Sequence, residues 1–261
     1  RMTESFTTVE HRVRSADGVE LWCRDYRPLR AAPAAAGGAG APVVLCVPGL
    51  TRNSRDFDSL ASALAATHRV LTPDLRGRGR SGRAADASTY QPLAYVGDLA
   101  LLLQSLAVPQ VVWIGTSLGG LLAMMMAAMQ PALLRAVVLN DVGPEIDPAG
   151  AARIASYVGK LPPVRSWEDA AAQARLVNGA ALPDFTDEDW QRFARCAYRD
   201  DGQGRPVLDM DPAIGEAVRA ASGPAPDLWP LFRALRNVPT LAIRGALSDI
   251  LAESTFERMR A

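Results

Sequence analysis

The stretch "VVWIGTSLGG", Val111–Gly120, decides how this chain folds. Its first half is a short run of β-branched and aromatic residues, the composition of a strand buried on both faces. Its second half sets a serine between two glycines, Gly115-Thr116-Ser117-Leu118-Gly119, and runs into "LLAMMMAAM", a helix apolar nearly all round. G-x-S-x-G between a strand and a helix predicts a tight turn with the serine backbone strained at its apex. Side chains two positions either side of the serine would collide with neighbouring elements, and glycine at 115 and 119 relieves that collision. The turn lifts the Ser117 hydroxyl clear of the sheet's C-terminal edge. It also brings the backbone N–H of Leu118 to a helix N-terminus, where a developing oxyanion is stabilised. The bare pattern also turns up by chance in strand-to-helix turns, and it is the context here that gives it chemical meaning.

Working outward, the same rhythm recurs. "VVLCV" and "RVLTPDL" on the N-terminal side, and "LRAVVLND" and "PTLAIRG" on the C-terminal side, are further short apolar strands. Between them, "FDSLASALAAT" sets Phe57, Leu60, Ala61, Leu64 and Ala65 on one helical face, and "AYVGDLALLLQSLAV" repeats the spacing at Val96, Leu99, Leu103 and Leu106. Apolar strands alternating with helices predict an α/β fold, a mostly parallel sheet covered on both faces. The N-terminal "TTVEHRVR" and "VELWCRDYRP" flank Asp17-Gly18 and predict a hairpin. Leu29 to Pro42, rich in Ala, Gly and Pro, is expected to be a surface loop.

From Gly143 to Phe232 the rhythm stops. Helical pieces such as "SWEDAAAQARLV" and "DEDWQRFARCAY" replace it, together with Tyr157, Trp167, Phe185, Trp190, Phe193, Tyr198, Trp229 and Phe232. The expectation is a helical cap, residues 143–232, inserted into a core made of residues 1–142 and 233–261. Its aromatics would form the lobe's own core, line a pocket over the site, or do both.

Composition removes several function classes. The formal net charge of zero gives no electrostatic case for nucleic acid or an anionic membrane. No apolar run has the length of a membrane span, and the N-terminus has no apolar signal core. Cys23, Cys46 and Cys196 have neither metal-ligand spacing nor an even count, which fits a reducing compartment, so a cytoplasmic location is expected.

Two loops accompany the serine turn. In "VPGLTRNSRDF" the Pro48-Gly49 turn would direct a backbone N–H, that of Leu50, toward the same oxyanion; alternatively Gly49 is only a turn residue. "PDLRGRGRSG", Pro73–Gly82, has the glycines and arginines of a phosphate loop but lacks the lysine and spacing of a P-loop. It is expected to be structural, with Asp74 and Arg76 bracing the loop near the site.

Taken in order, the "PG" loop, "PDLRGRGRSG", "GTSLGG", the helical insertion and "LAIRGALSD" resemble the α/β-hydrolase superfamily with a cap domain, over nearly the whole chain. The resemblance implies an eight-stranded sheet and a nucleophile–acid–histidine triad in that chain order. Ser117 matches the nucleophile, and a serine there speaks against the branches that use aspartate. Asp249, in "RGALSD", matches the acid; Asp141, in "VVLND", is the alternative place, used by some relatives. The resemblance puts the histidine some 25 residues beyond the acid, on a loop after one more strand. Neither His11, in the hairpin, nor His68, at the strand-entry side of the sheet, is placed to reach Ser117. The histidine is therefore expected beyond Ala261, with a further strand and helix.

The implied activity is a serine hydrolase that cleaves a small, apolar carboxylic ester, lactone or thioester and needs no metal or organic cofactor. The alternatives are a carbon–carbon bond hydrolase of ring-cleavage products, an acyltransferase, or a non-catalytic ligand-binding receptor on the same fold. Oligomeric state is not legible in the sequence.

Overall fold

The apolar runs form the middle of one sheet. The computed structural model describes residues 5–29, 41–220 and 226–260. A hairpin of β1 (Phe6–Arg14) and β2 (Glu20–Pro28) opens the chain, and Gly18, at φ +89°, makes its turn. Most of the expected loop between Leu29 and Pro42 lies outside the described residues.

Then come β3 (Val43–Val47), α1 (Asp58–Leu64), β4 (Val70–Pro73), α2 (Pro92–Ser105), β5 (Val111–Thr116), α3 (Leu118–Met129) and β6 (Leu134–Asn140). Next are α4 (Pro148–Tyr157), α5 (Trp167–Asn178), α6 (Asp187–Ala197), the short hairpin β7 (Tyr198–Asp200) and β8 (Pro206–Leu208), α7 (Ala213–Ala220) and α8 (Trp229–Arg233). The chain returns to the sheet at β9 (Thr240–Ile243), followed by α9 (Glu253–Arg258).

Among the described residues the main sheet has seven strands in the order β1-β2-β4-β3-β5-β6-β9. Pairings from β4 through β9 are parallel, and only β1 and β2 run antiparallel to their neighbours. The eighth strand that the family resemblance implies is not among the described residues.

Strand alternation sorts side chains onto two covered faces. Val44 and Cys46 point to one face and pack with Phe57, Ala61 and Ala65 around α1. Leu45, Val47 and Trp113 point to the other, where α2 and α3 lay Leu99, Leu103, Leu122 and Met126. Leu60 departs from expectation: it is 41% exposed, because a seven-residue helix presents only a narrow buried stripe, centred on Ala61. The segment between β6 and β9 has its own small core of Ala170, Ala174, Trp190, Ala194 and Tyr198, so several of its aromatics serve that core.

The "RGRGRS" loop joins the parts, and Arg76 braces it against α2 and the hairpin turn. It forks between Asp98 on α2, with Nε at 2.7 Å and Nη2 at 2.6 Å, and Asp17 in the hairpin turn, with Nη1 at 2.6 Å. Arg76 and Asp98 are both nearly inaccessible. Removing the cation would leave a buried carboxylate without its partner, a loss of about 3–5 kcal/mol. Arg76→Met should therefore shift the urea unfolding midpoint strongly downward, while Asp17→Asn should have a small effect because Asp17 is half in solvent. An Arg76→Met midpoint within experimental error of the parent would contradict this account.

Candidate active site

Parallel strands put all their C-terminal ends on one edge, and the loops leaving β3, β5, β6 and β9 meet there. Ser117 lies at the turn from β5 into α3 with φ +51° and ψ −114°, a region that non-glycine residues rarely occupy. Three glycines make room for the turn. A Cβ on Gly115 would lie 2.3 Å from the Gly119 carbonyl, and one on Gly119 would lie 2.1 Å from the Val47 carbonyl oxygen. One on Gly120 would lie 2.4 Å from Val142 Cγ1, a requirement that the sequence pattern did not single out. Gly119→Ala should lower stability by about 1–3 kcal/mol through overpacking against the β3 backbone, read as a fall in melting temperature. An unchanged melt would mean that β3 and α3 are not in this close approach.

Around the serine, Ser117 N–H donates to the Asn140 carbonyl at 2.9 Å, tying the turn to the end of β6. Trp113 Nε1–H donates to the Gly119 carbonyl at 2.9 Å and locks α3 onto β5. Among the described residues, no acceptor takes the N–H of Leu118 or of Leu50. The Leu50 loop lies against the serine: a Cβ on Gly49 would be 3.7 Å from Ser117 Cβ and 3.9 Å from Arg52 Cγ. Asp74 ties this loop to "PDLRGRGRSG", accepting from Ser54 N–H at 2.7 Å and from Arg80 N–H, in its own loop, at 2.8 Å.

The two candidate acids have different surroundings. Asp141, at the end of β6, also has a positive φ, +55°. Its carboxylate accepts from Gly245 N–H at 3.1 Å and Ser248 Oγ–H at 2.9 Å, so it pins the loop that leaves β9. Asp249, on that same loop, is gripped by Arg153 of α4 through Nε and through Nη2 at 2.8 Å. The guanidinium holds its carboxyl below the usual carboxylate range. Close backbone packing supports this grip, since a Cβ on Gly150 would lie 2.0 Å from the Asp249 carbonyl oxygen. Arg153 is 96 residues from its partner in sequence, and no local pattern marks it.

Both histidines of the sequence are engaged elsewhere. His11 Nε2 lies 3.0 Å from the buried Asp25, and His68 Nδ1 lies 2.8 Å from Thr67 Oγ1, at the strand-entry side of the sheet.

A cavity of about 50 Å³, bordered by Thr51, Arg52, Tyr157, Val158, Phe193 and Met210, adjoins the loop that carries Leu50. It shares Gly159, Leu161, Tyr198, Leu208 and Met210 with an outer cleft of about 550 Å³. Arg52 is paired with Asp56 at 2.7 Å and stacks 3.9 Å over the Phe193 ring, so it presents a wall rather than a free cation. Cys23, Cys46 and Cys196 are free thiols. Among the described residues, no helix is long and apolar enough to cross a membrane.

Known proteins match this chain over most of its length. A family model described as alpha/beta hydrolase fold matches residues 42–200. A 3-hydroxybutyrate-oligomer hydrolase of Cupriavidus necator is 38% identical over 229 residues, covering 84% of this chain and 77% of the relative. A 2-(acetamidomethylene)succinate hydrolase of Mesorhizobium japonicum is 28% identical over 221 residues, covering 85% and 76%. The crystal structure of an alpha/beta hydrolase from Novosphingobium aromaticivorans superposes with a TM-score of 0.88 at 41% identity, covering 99% of this chain and 87% of that one.

Proposed function

The chain belongs to the α/β-hydrolase fold family, and from that premise we propose that it is a serine hydrolase cleaving carboxylic esters through an acyl-enzyme on Ser117. One observation carries the reading: a strained serine at a strand-to-helix turn, with the N–H groups of Leu118 and Leu50 on the adjoining segments left without an acceptor among the described residues. Two donors and a nucleophile on rigid backbone are parts that acyl transfer uses, together with a base that takes the serine proton. The Ser117 oxygen attacks the ester carbonyl. The N–H groups of Leu118 and Leu50 hold the oxyanion as the tetrahedral intermediate forms and collapses. An imidazole oriented by Asp249 takes the serine proton, returns it to the leaving alcohol, and then activates water on the acyl-enzyme. That imidazole is neither His11 nor His68. The helices between β6 and β9 act as a cap, and the outer cleft leads substrate toward the small cavity beside Arg52.

The Cupriavidus relative's name makes linear oligoesters of a 3-hydroxy acid the first substrates to try. The dimer and trimer of 3-hydroxybutyrate should be tested beside nitrophenyl esters from acetyl to octanoyl. Turnover of either group supports the reading. Saturable binding without turnover would favour a receptor on this fold, and neither binding nor turnover would remove ester substrates altogether.

A further inference from the structure

Arg78 is 1% exposed, yet among the described residues no carboxylate pairs with it. A buried cation without a counter-charge is costly, and neutral residues could fill the same volume at less expense. Its hydrogen bonds show where the guanidinium is used. Nε–H donates to the Leu50 carbonyl at 2.6 Å, Nη1–H to the Arg76 carbonyl at 2.9 Å, and Nη2–H lies 3.4 Å from Tyr95 Oη. The guanidinium also stacks 4.9 Å over the Tyr95 ring on α2. Leu50 is the residue whose N–H is proposed to hold the oxyanion.

Farther along, the loop that carries Leu50 is tied down by Asn53 Nδ2–H to the Cys196 carbonyl at 2.8 Å and by Ser54 N–H to Asp74 at 2.7 Å. At the turn itself the backbone bond is the long one from Arg52 N–H to the Gly49 carbonyl, 3.2 Å, so the Arg78 bond to the Leu50 carbonyl is the short tie next to the proposed donor. The support behind Arg78 is firm. Gly77 accepts from Asp211 N–H at 2.7 Å, Gly79 N–H donates to the Asp209 carbonyl at 3.1 Å, and Asp74 takes the N–H of Arg80. Arg78 thus ties the turn at Leu50 directly to a braced loop. A planar fork with fixed donor directions can grip one carbonyl while anchored on others, whereas a lysine reaches one acceptor at a time.

We infer that Arg78 is a positioning residue for the oxyanion hole, holding the Leu50 residue so that its N–H points at the reacting carbonyl oxygen. This rests on the ester-hydrolase reading above and deepens it. Losing one oxyanion donor outright costs about 10²–10³ in kcat, so a donor left in place but poorly aimed should cost somewhat less.

The test uses Arg78→Met and Arg78→Lys in the protein, with its best nitrophenyl ester and a boronic acid of the same acyl chain. Arg78→Met should lower kcat about 30- to 100-fold, with KM within about three-fold. The boronate, whose tetrahedral adduct on Ser117 carries the negative charge, should lose affinity by a similar factor. The free carboxylic acid product should bind as before. Arg78→Lys should recover part of both losses. A merely structural role would leave the boronate-to-product affinity ratio unchanged and make lysine no better than methionine; that result overturns the inference, as does full activity in both variants. Should the methionine variant fail to fold, the lysine variant decides on the same ratio. Ser117→Ala separates this inference from its premise: full turnover there sinks the hydrolase reading itself, whereas an inactive Ser117→Ala beside unaffected Arg78 variants sinks only the role of Arg78.

Discussion

Ser117→Ala should lower ester turnover by about 10⁵–10⁶, with little change in substrate affinity or melting temperature. The expectation follows from the turn. Alanine keeps the backbone of the turn, with its φ of +51°, and removes only the oxygen proposed to attack the ester carbonyl. For the same reason a fluorophosphonate probe should label Ser117 and no other serine, as read by peptide mapping. A label on another serine, or an alanine variant that retains turnover, would place the chemistry elsewhere.

The second large effect concerns the acid. Asp249→Asn should cost about 10⁴ in kcat, since an imidazole that loses its carboxylate partner loses both tautomer control and charge stabilisation. Asp141→Asn should cost far less, because the bonds of Asp141 to Gly245 N–H and Ser248 Oγ–H brace the loop that carries Asp249. The Arg153 guanidinium holds the Asp249 carboxyl below the ordinary carboxylate range. A depressed carboxylate pKa keeps the orienting charge present at neutral pH and loses it only as pH falls through the folded value, so the acid limb of the activity profile should not report Asp249. Arg153→Met should move Asp249 toward ordinary carboxylate behaviour. Were the two asparagine variants to rank in reverse, the acid would lie after β6, and the Arg153 pair would be a contact between cap and core and nothing more.

Features with a local physical cause could be read from the sequence. Gly115 and Gly119 were marked by the collisions that any side chain would suffer there, and the structure locates those collisions at the Gly119 and Val47 carbonyls. The apolar runs that became β3, β4, β5 and β6 announced burial on both faces. Asp17-Gly18 announced the hairpin. What stayed hidden depends on partners distant in the chain. Nothing near Arg153 points to Asp249, and nothing in "RGRGRS" distinguishes Arg76, which pairs with two carboxylates, from Arg78, which pairs with none among the described residues. The exposure of Leu60 is hidden for a different reason: periodicity gives the direction of a helix face but not its width.

The positive φ at Ser117 sets durability against chemistry at a single residue. Such a backbone costs on the order of 1–3 kcal/mol for any side chain, and glycine alone escapes it. A heat-resistance screen that never asked for turnover would therefore be drawn to glycine at 117. It would return a hardier protein with no nucleophile. The serine marks how much thermal endurance this fold gives up to remain reactive, so any programme to stabilise it must select for catalysis at every round.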